Sequence, residues 1–161
     1  MNDRAAEPYY RRDLALVHHL GFGFHADLVA AGVLRLLEPV LAKGGVVVEL
    51  GCGSGLLTRY LVDAGHRVIA TDASIAMLDL AREYVPDAAE VRRLTMPDDP
   101  IPDADAIVSV GHPISYLADE DAVDRALVAA ADAAAATDEL RPAAGSSSQD
   151  PQAEEQVSEG D

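Results

Sequence analysis

The chain has 161 residues, one domain's worth, and 49% are hydrophobic against 4% aromatic with no Trp, so the expected core is mostly aliphatic. A formal charge of −16 argues against a nucleic-acid backbone as a standing partner, because phosphates would be repelled. The single cysteine, Cys52, excludes an intrachain disulfide, and the chain shows neither a signal-type apolar run near its start nor a stretch of about 20 apolar residues, which points to a cytoplasmic protein without a membrane span.

Residues 1–25 read as an irregular segment holding Tyr9, Tyr10, His18, His19, His25 and two glycines, Gly21 and Gly23. A helix is expected over 26–42, because Val29, Val33, Leu36, Leu37, Val40 and Leu41 fall on one helical face. Pro39 should kink that helix or end it early, and Gly44-Gly45 breaks it. Val46–Leu50 is a short apolar, β-branched run of the kind buried on both faces of a parallel sheet. A glycine loop follows, then a helix over 54–64. Arg67–Thr71 reads as a second strand closed by Asp72, and Ser74 can cap a helix running to Tyr84. A third strand is expected near Glu90–Leu94, a proline-rich loop over Met96–Asp103, and a fourth strand over Asp105–Val110. A last helix covers 119–136 with Val123, Ala126, Leu127 and Ala130 on its inner face. The acids at 119–124 suit the start of that helix. Residues 141–161 are acidic, Ser/Gln/Glu/Gly-rich and poor in apolar side chains, and read as a disordered tail.

Alternating strands and helices give an α/β, Rossmann-like parallel sheet with helices on both faces. Ligands of such sheets sit beyond the carboxyl ends of the strands, which here means residues 51–55, 72, 94–96 and 109–112. The segment Val46-Val47-Val48-Glu49-Leu50-Gly51-Cys52-Gly53-Ser54-Gly55 is strand, glycines, helix, an arrangement that lets a ligand approach bare backbone at a helix amino terminus. Its spacing is Gly-x-Gly-x-Gly. A dinucleotide fingerprint would need glycine at the sixth position from Gly51, where Leu56 stands. Glu49 would repel a pyrophosphate and suits a ligand with an ammonium group.

Glu-x-Gly-x-Gly-x-Gly after a Val-rich strand resembles motif I of the class I S-adenosylmethionine-dependent methyltransferases. Thr71-Asp72-Ala73-Ser74-Ile75-Ala76-Met77-Leu78 resembles that family's second-strand turn, and Asp103-Ala104-Asp105-Ala106-Ile107-Val108-Ser109-Val110 its fourth strand. The likeness runs from about Leu36 to about Leu140, so residues 26–140 are expected to form the S-adenosylmethionine-binding domain. The resemblance implies roles. Gly51, Gly53 and Gly55 would shape the loop under the methionine part of the cofactor, with Cys52 beside it, and Glu49 would engage the ammonium directly or through water. Asp72 would hold the ribose, Ala73 and Met77 would flank the adenine, Leu94 and Thr95 would sit under its edge, and Val110 would lie nearby. Thr95-Met96 stands where many relatives have an acid.

Plainer readings accompany several of these residues. Asp72 could serve only as a helix cap, and Cys52 has no base paired with it in sequence and reads as a small loop residue. His18, His19 and His25 lack the Cys/His spacing of a structural zinc site, so no metal is expected. His112 is a candidate general base or a structural surface residue. Tyr9 and Tyr10 suit a lid, as in some relatives, or a simple hydrophobic anchor.

Family members continue with a Leu-x-Pro-Gly-Gly turn and further strands. Leu140-Arg141-Pro142 is followed here by Ala143-Ala144 and the acidic tail. The expectation is therefore a four-stranded sheet lacking the last strands of the full methyltransferase fold, with Ala106–Val110 as an open apolar edge where self-association or a partner could add. Three functions follow: methyl transfer from S-adenosylmethionine to an unidentified acceptor, expected to be a small molecule; a truncated or degenerate fragment that binds the cofactor weakly without catalysis; or a nicotinamide-dependent oxidoreductase.

Overall fold

The computed structural model describes residues 10–139. The tail over 141–161 lies outside them, as does Tyr9. The first departure from the sequence reading comes at the start. Residues up to 25 were expected to be irregular, yet α1 occupies Arg12–Gly21 and α2 follows at Gly23–Ala42, bent by 61° at the break. Gly21 and Gly23 bracket Phe22, so they mark an elbow between two helices rather than a loop. α1 buries one small side chain, Ala15, and leaves Leu14, Leu16, Val17 and Leu20 exposed. Its inward face is therefore too thin to register as an apolar stripe. Among the described residues, no single helix is long and apolar enough to cross a membrane, although the bent α1–α2 pair reaches that length and composition together.

α2 runs three residues past Pro39, which sits in its last turn and offers no N–H to the carbonyl four residues earlier. Its buried face is Ala26, Ala30, Leu37 and Val40, whereas Leu36, assigned to that face from its spacing, is 81% exposed.

The remaining order is β1 (Val46–Leu50), α3 (Leu56–Asp63), β2 (Arg67–Asp72), α4 (Ile75–Tyr84), β3 (Glu90–Arg93), β4 (Ala106–Val108), a 3₁₀ turn (Pro113–Tyr116) and α5 (Glu120–Glu139). The four strands form one parallel sheet in the order β3-β2-β1-β4. β1 lies between its partners with Val47 opposite Val68 and Ala106, and Glu49 opposite Ala70 and Val108. Strand alternation divides the core. Val47 and Val68 pack with Ala26, Leu37, Leu57 and Leu61 from α2 and α3, and Ala70 packs with Leu78 and Ala81 of α4. Val48, Leu50, Ile69 and Ile107 gather on the other side with Leu94, Ala104 and Ala130 of α5. Helices thus cover both faces, as expected.

Two elements at the carboxyl side differ from expectation. β4 is three residues long, and its outer edge pairs with no strand among the described residues. On α5 the buried positions are Ala122, Ala126 and Ala133, with Ala104 N donating to Ala133 O at 3.1 Å, while Leu127 is 54% exposed. The close approach of α5 selects alanine, so the larger side chains of that helix turn outward.

This division of the core carries a contrast. Leu61→Ala, at a site with no exposure, should cost ~2–5 kcal/mol in urea unfolding, and Leu127→Ala less than ~0.5 kcal/mol. Equal effects would contradict the packing described.

Candidate functional site

β1 and β2 both end at the same edge of the sheet, and each delivers an acid there. Glu49 is 3% exposed, and its Oε2 accepts from Thr58 Oγ1 of α3 at 2.6 Å. Burial pushes the Glu49 carboxyl up to about 7; the Thr58 hydroxyl opposes that shift and the nearby Asp72 adds to it. The folded state therefore holds a proton that the unfolded chain releases at lower pH, and this group's contribution to stability declines as pH rises from the ordinary carboxylate range to about 7.

Asp72 closes β2 and braces the loop after β1. Its Oδ2 accepts from Gly53 N at 2.9 Å and its Oδ1 from Ser74 N at 2.8 Å. Burial raises its carboxyl, opposed by these backbone donors and by His18. Ser74 caps α4 by accepting from Met77 N at 3.2 Å, and its hydroxyl donates to Tyr10 O at 2.7 Å. The Ser74 cap and a cleft-lining Asp72 are thus compatible in one geometry.

The three loop glycines all have positive φ, but their surroundings differ. A Cβ on Gly51 would stand 2.5 Å from Pro113 Cβ, so this position makes room for the 3₁₀ turn. A Cβ on Gly55 would stand 3.0 Å from Val85 Cγ2 and 3.4 Å from Ala81, so this one lets α3 approach α4. A Cβ on Gly53 would meet only Met77 Sδ at 3.9 Å and His18 Cε1 at 4.0 Å. Of the three, Gly53 is the one whose missing side chain leaves space.

That space belongs to a cleft of about 610 Å³. Ten of the twelve residues assigned from sequence to cofactor binding or catalysis line it: Glu49, Gly51, Cys52, Gly53, Asp72, Ala73, Met77, Leu94, Val110 and His112. Gly55 and Thr95 do not. Thr95 instead offers its N–H to Asp99 Oδ2 at 2.7 Å, holding the proline-rich loop. Cys52 is buried, and its burial, with Glu49 and Asp72 close by, raises the thiol well above its ordinary value, which keeps it an unreactive wall residue. Among the described residues, no group of three or more His, Cys, Asp or Glu is arranged to hold a metal.

The sequence reading assigned no wall from α1, α2 or the 3₁₀ turn, yet these supply much of the cleft. Tyr10, Leu14, His18, Phe22, His25 and Val29 line one side, and Pro113, Tyr116 and Leu117 face it. The hydroxyls of Tyr10 and Tyr116 meet at 3.4 Å across the opening. Tyr10 reads from sequence as a lid or an anchor, whereas His18 and His25 were visible there but, without a helix to carry them, had no direction.

The glycine geometry separates two substitutions. Gly51→Ala adds both strained backbone and a collision with Pro113, and should lower stability by ~1–3 kcal/mol in chemical denaturation. Gly53→Ala has no collision to relieve and should cost ~1 kcal/mol, while filling the floor of the cleft.

A methyltransferase-domain family model matches residues 47–136, more than half of the chain. Among individual relatives, a probable protein arginine N-methyltransferase 3 of Arabidopsis thaliana is 34% identical over 74 residues, 41% of this chain and 12% of that protein. The structure of DesVI from Streptomyces venezuelae superposes with a TM-score of 0.62 at 22% identity, covering 77% of this chain and 53% of that one. SAM-bound CalS10, an amino pentose methyltransferase from Micromonospora echinaspora, gives 0.60 at 21% identity, covering 77% and 52%. The chain therefore spans about half the length of these solved proteins and a small part of the arginine methyltransferase. The sheet order, the glycine loop and the family match agree, and the chain belongs to the methyltransferase-domain family, of the class I S-adenosylmethionine-dependent type that its first motif resembles.

Proposed function

We propose that the cleft binds S-adenosylmethionine and that the protein transfers its methyl group to a small-molecule acceptor. The observation that carries this reading is the pair of carboxylates, buried Glu49 and half-buried Asp72, at the strand ends of a cleft with no Lys or Arg among its described lining residues. A phosphate-bearing dinucleotide would find repulsion there. A ligand with an ammonium and two vicinal hydroxyls finds one acid for each. The open face of Gly53 fits a ligand lying against the loop backbone. Family membership and the SAM-bound CalS10 neighbour support the same cofactor.

In this reading Glu49 takes the ammonium, directly or through water, with its carboxylate aimed by Thr58. Asp72 takes the ribose hydroxyls with acceptor capacity left beyond its bonds to Gly53 and Ser74. Ala73, Met77 and Leu94 form the apolar adenine wall, and Val110 lies at the end of the fourth strand. The bound cofactor supplies an activated methyl on a sulfonium. The protein's part is to hold that methyl in line with the acceptor and to exclude water, which Tyr10, Tyr116 and the α1–α2 wall are placed to do. His112, an exposed residue of the cleft lining, would receive a proton from the acceptor in this reading. The volume of the cleft is in the range of small-molecule sites, and CalS10, an amino pentose methyltransferase, supports an acceptor of that class.

Calorimetric titration with S-adenosylhomocysteine tests the reading. Wild type should bind, and Asp72→Ala should bind at least tenfold more weakly; absence of heat from wild type refutes the cofactor assignment and with it the methyl transfer. A micromolar NADH titration would favour an oxidoreductase instead. Because burial holds the Glu49 proton up to about 7, binding an ammonium beside it must expel that proton. Affinity should rise between pH 6 and 8, with proton release seen as a buffer-dependent heat, and Glu49→Gln should flatten that rise.

A further inference from the structure

We propose that His18, carried by α1, is a hydrogen-bond donor to the carboxylate of the ligand's amino-acid end. The proposal rests on the S-adenosylmethionine reading of the cleft and names a residue that reads one part of that ligand. Four observations place it. The His18 ring lines the cleft, and its Cε1 lies 4.0 Å from the point above Gly53 where a Cβ would stand, which is the open floor of the loop. The ring is gripped on two sides: Phe22 stacks on it at 4.8 Å with an interplanar angle of 8°, and Tyr10 meets it edge-on at 5.4 Å. α1 itself is pinned in register, because the next residue, His19, hydrogen-bonds through Nδ1 to buried Ser54 Oγ at 2.9 Å and Tyr10 O accepts from Ser74 Oγ. Finally, His18 Nδ1 is shut away from water with no partner.

An unpaired N–H in that place would be costly, so the ring proton belongs on Nε2, and Nε2–H is the donor left for a ligand. Burial also holds the imidazole below its ordinary value against the pull of Asp72, which favours this neutral form. The ligand's charge pattern supplies the other half of the argument. The ammonium and the ribose have acids to meet, but the carboxylate of the same amino-acid end has no Lys or Arg among the lining residues. A carboxylate brought between Glu49 and Asp72 needs an N–H donor from the facing wall, and of the polar side chains on that wall, which include Tyr10 and His25, His18 is the one within 4.0 Å of the missing Gly53 Cβ.

The test compares two ligands. S-adenosylhomocysteine carries the carboxylate, whereas 5′-deoxy-5′-methylthioadenosine has the nucleoside and thioether without the amino-acid end. His18→Phe keeps the stack and removes the donor; it should weaken S-adenosylhomocysteine binding at least tenfold and change the second ligand less than twofold. His18→Gln, which returns an N–H near Nε2, should recover most of the difference. In wild type the ¹⁵N resonance of His18 Nε2 should move on adding S-adenosylhomocysteine and stay in place with the second ligand, a readout that needs no variant to fold. Equal losses for both ligands, no loss for either, or an unmoved resonance would overturn the role of His18. Failure of wild type to bind either ligand would instead overturn the cofactor reading beneath it.

Discussion

The site depends first on one carboxylate. Asp72 ends the strand next to the central one, and its two oxygens accept from Gly53 and Ser74. The first bond fixes the curvature of the loop leaving β1, and the second sets the start of α4. Loop, helix start and strand end are thereby held in a single frame, and the floor of the cleft is the surface of that frame. Burial works against the charge of Asp72, so the backbone donors that stabilise it also tie loop geometry to its ionisation.

Glu49 shows the complementary constraint. A carboxylate in the central strand of a parallel sheet, walled by Val and Leu, carries a desolvation cost that one hydroxyl from Thr58 offsets only in part. Nothing in the packing of β1 calls for an acid there, since its neighbours across the ladder are Ala70 and Val108. A buried acid of this kind is a candidate to face a cation, and Asp72 nearby adds negative charge to the same cleft.

What the sequence made legible were the features written locally. The β-branched run Val46–Leu50, the Ser74 cap and the alternation of strands and helices depend on neighbours a few residues away, and each stands where it was expected. The reasons for the glycines were not legible. Gly51 answers to Pro113, and Gly55 to Val85 and Ala81, contacts that form only when the chain folds back. α1 was missed because its buried face is little more than Ala15, and because glycines on both sides of Phe22 look like a loop until the elbow is seen. α5 misled in the opposite way: Leu127 fits a helical stripe, but the sheet comes too close for anything larger than alanine.

The same elbow governs how the cleft is closed. α1 is tied to the rest of the molecule by polar bonds at its two ends of the cleft, His19 to Ser54 and Tyr10 to Ser74, with His19 also packed edge-on against Tyr84 at 4.9 Å. Both partners, Ser54 and Ser74, flank the segments that Asp72 braces. The wall is therefore registered against the floor, since a shift of the loop moves the anchors of α1 with it. Such coupling needs no large apolar interface, which is consistent with Leu16, Val17 and Leu20 remaining outside. A wall held by a few directional bonds can open at modest cost and return to one position.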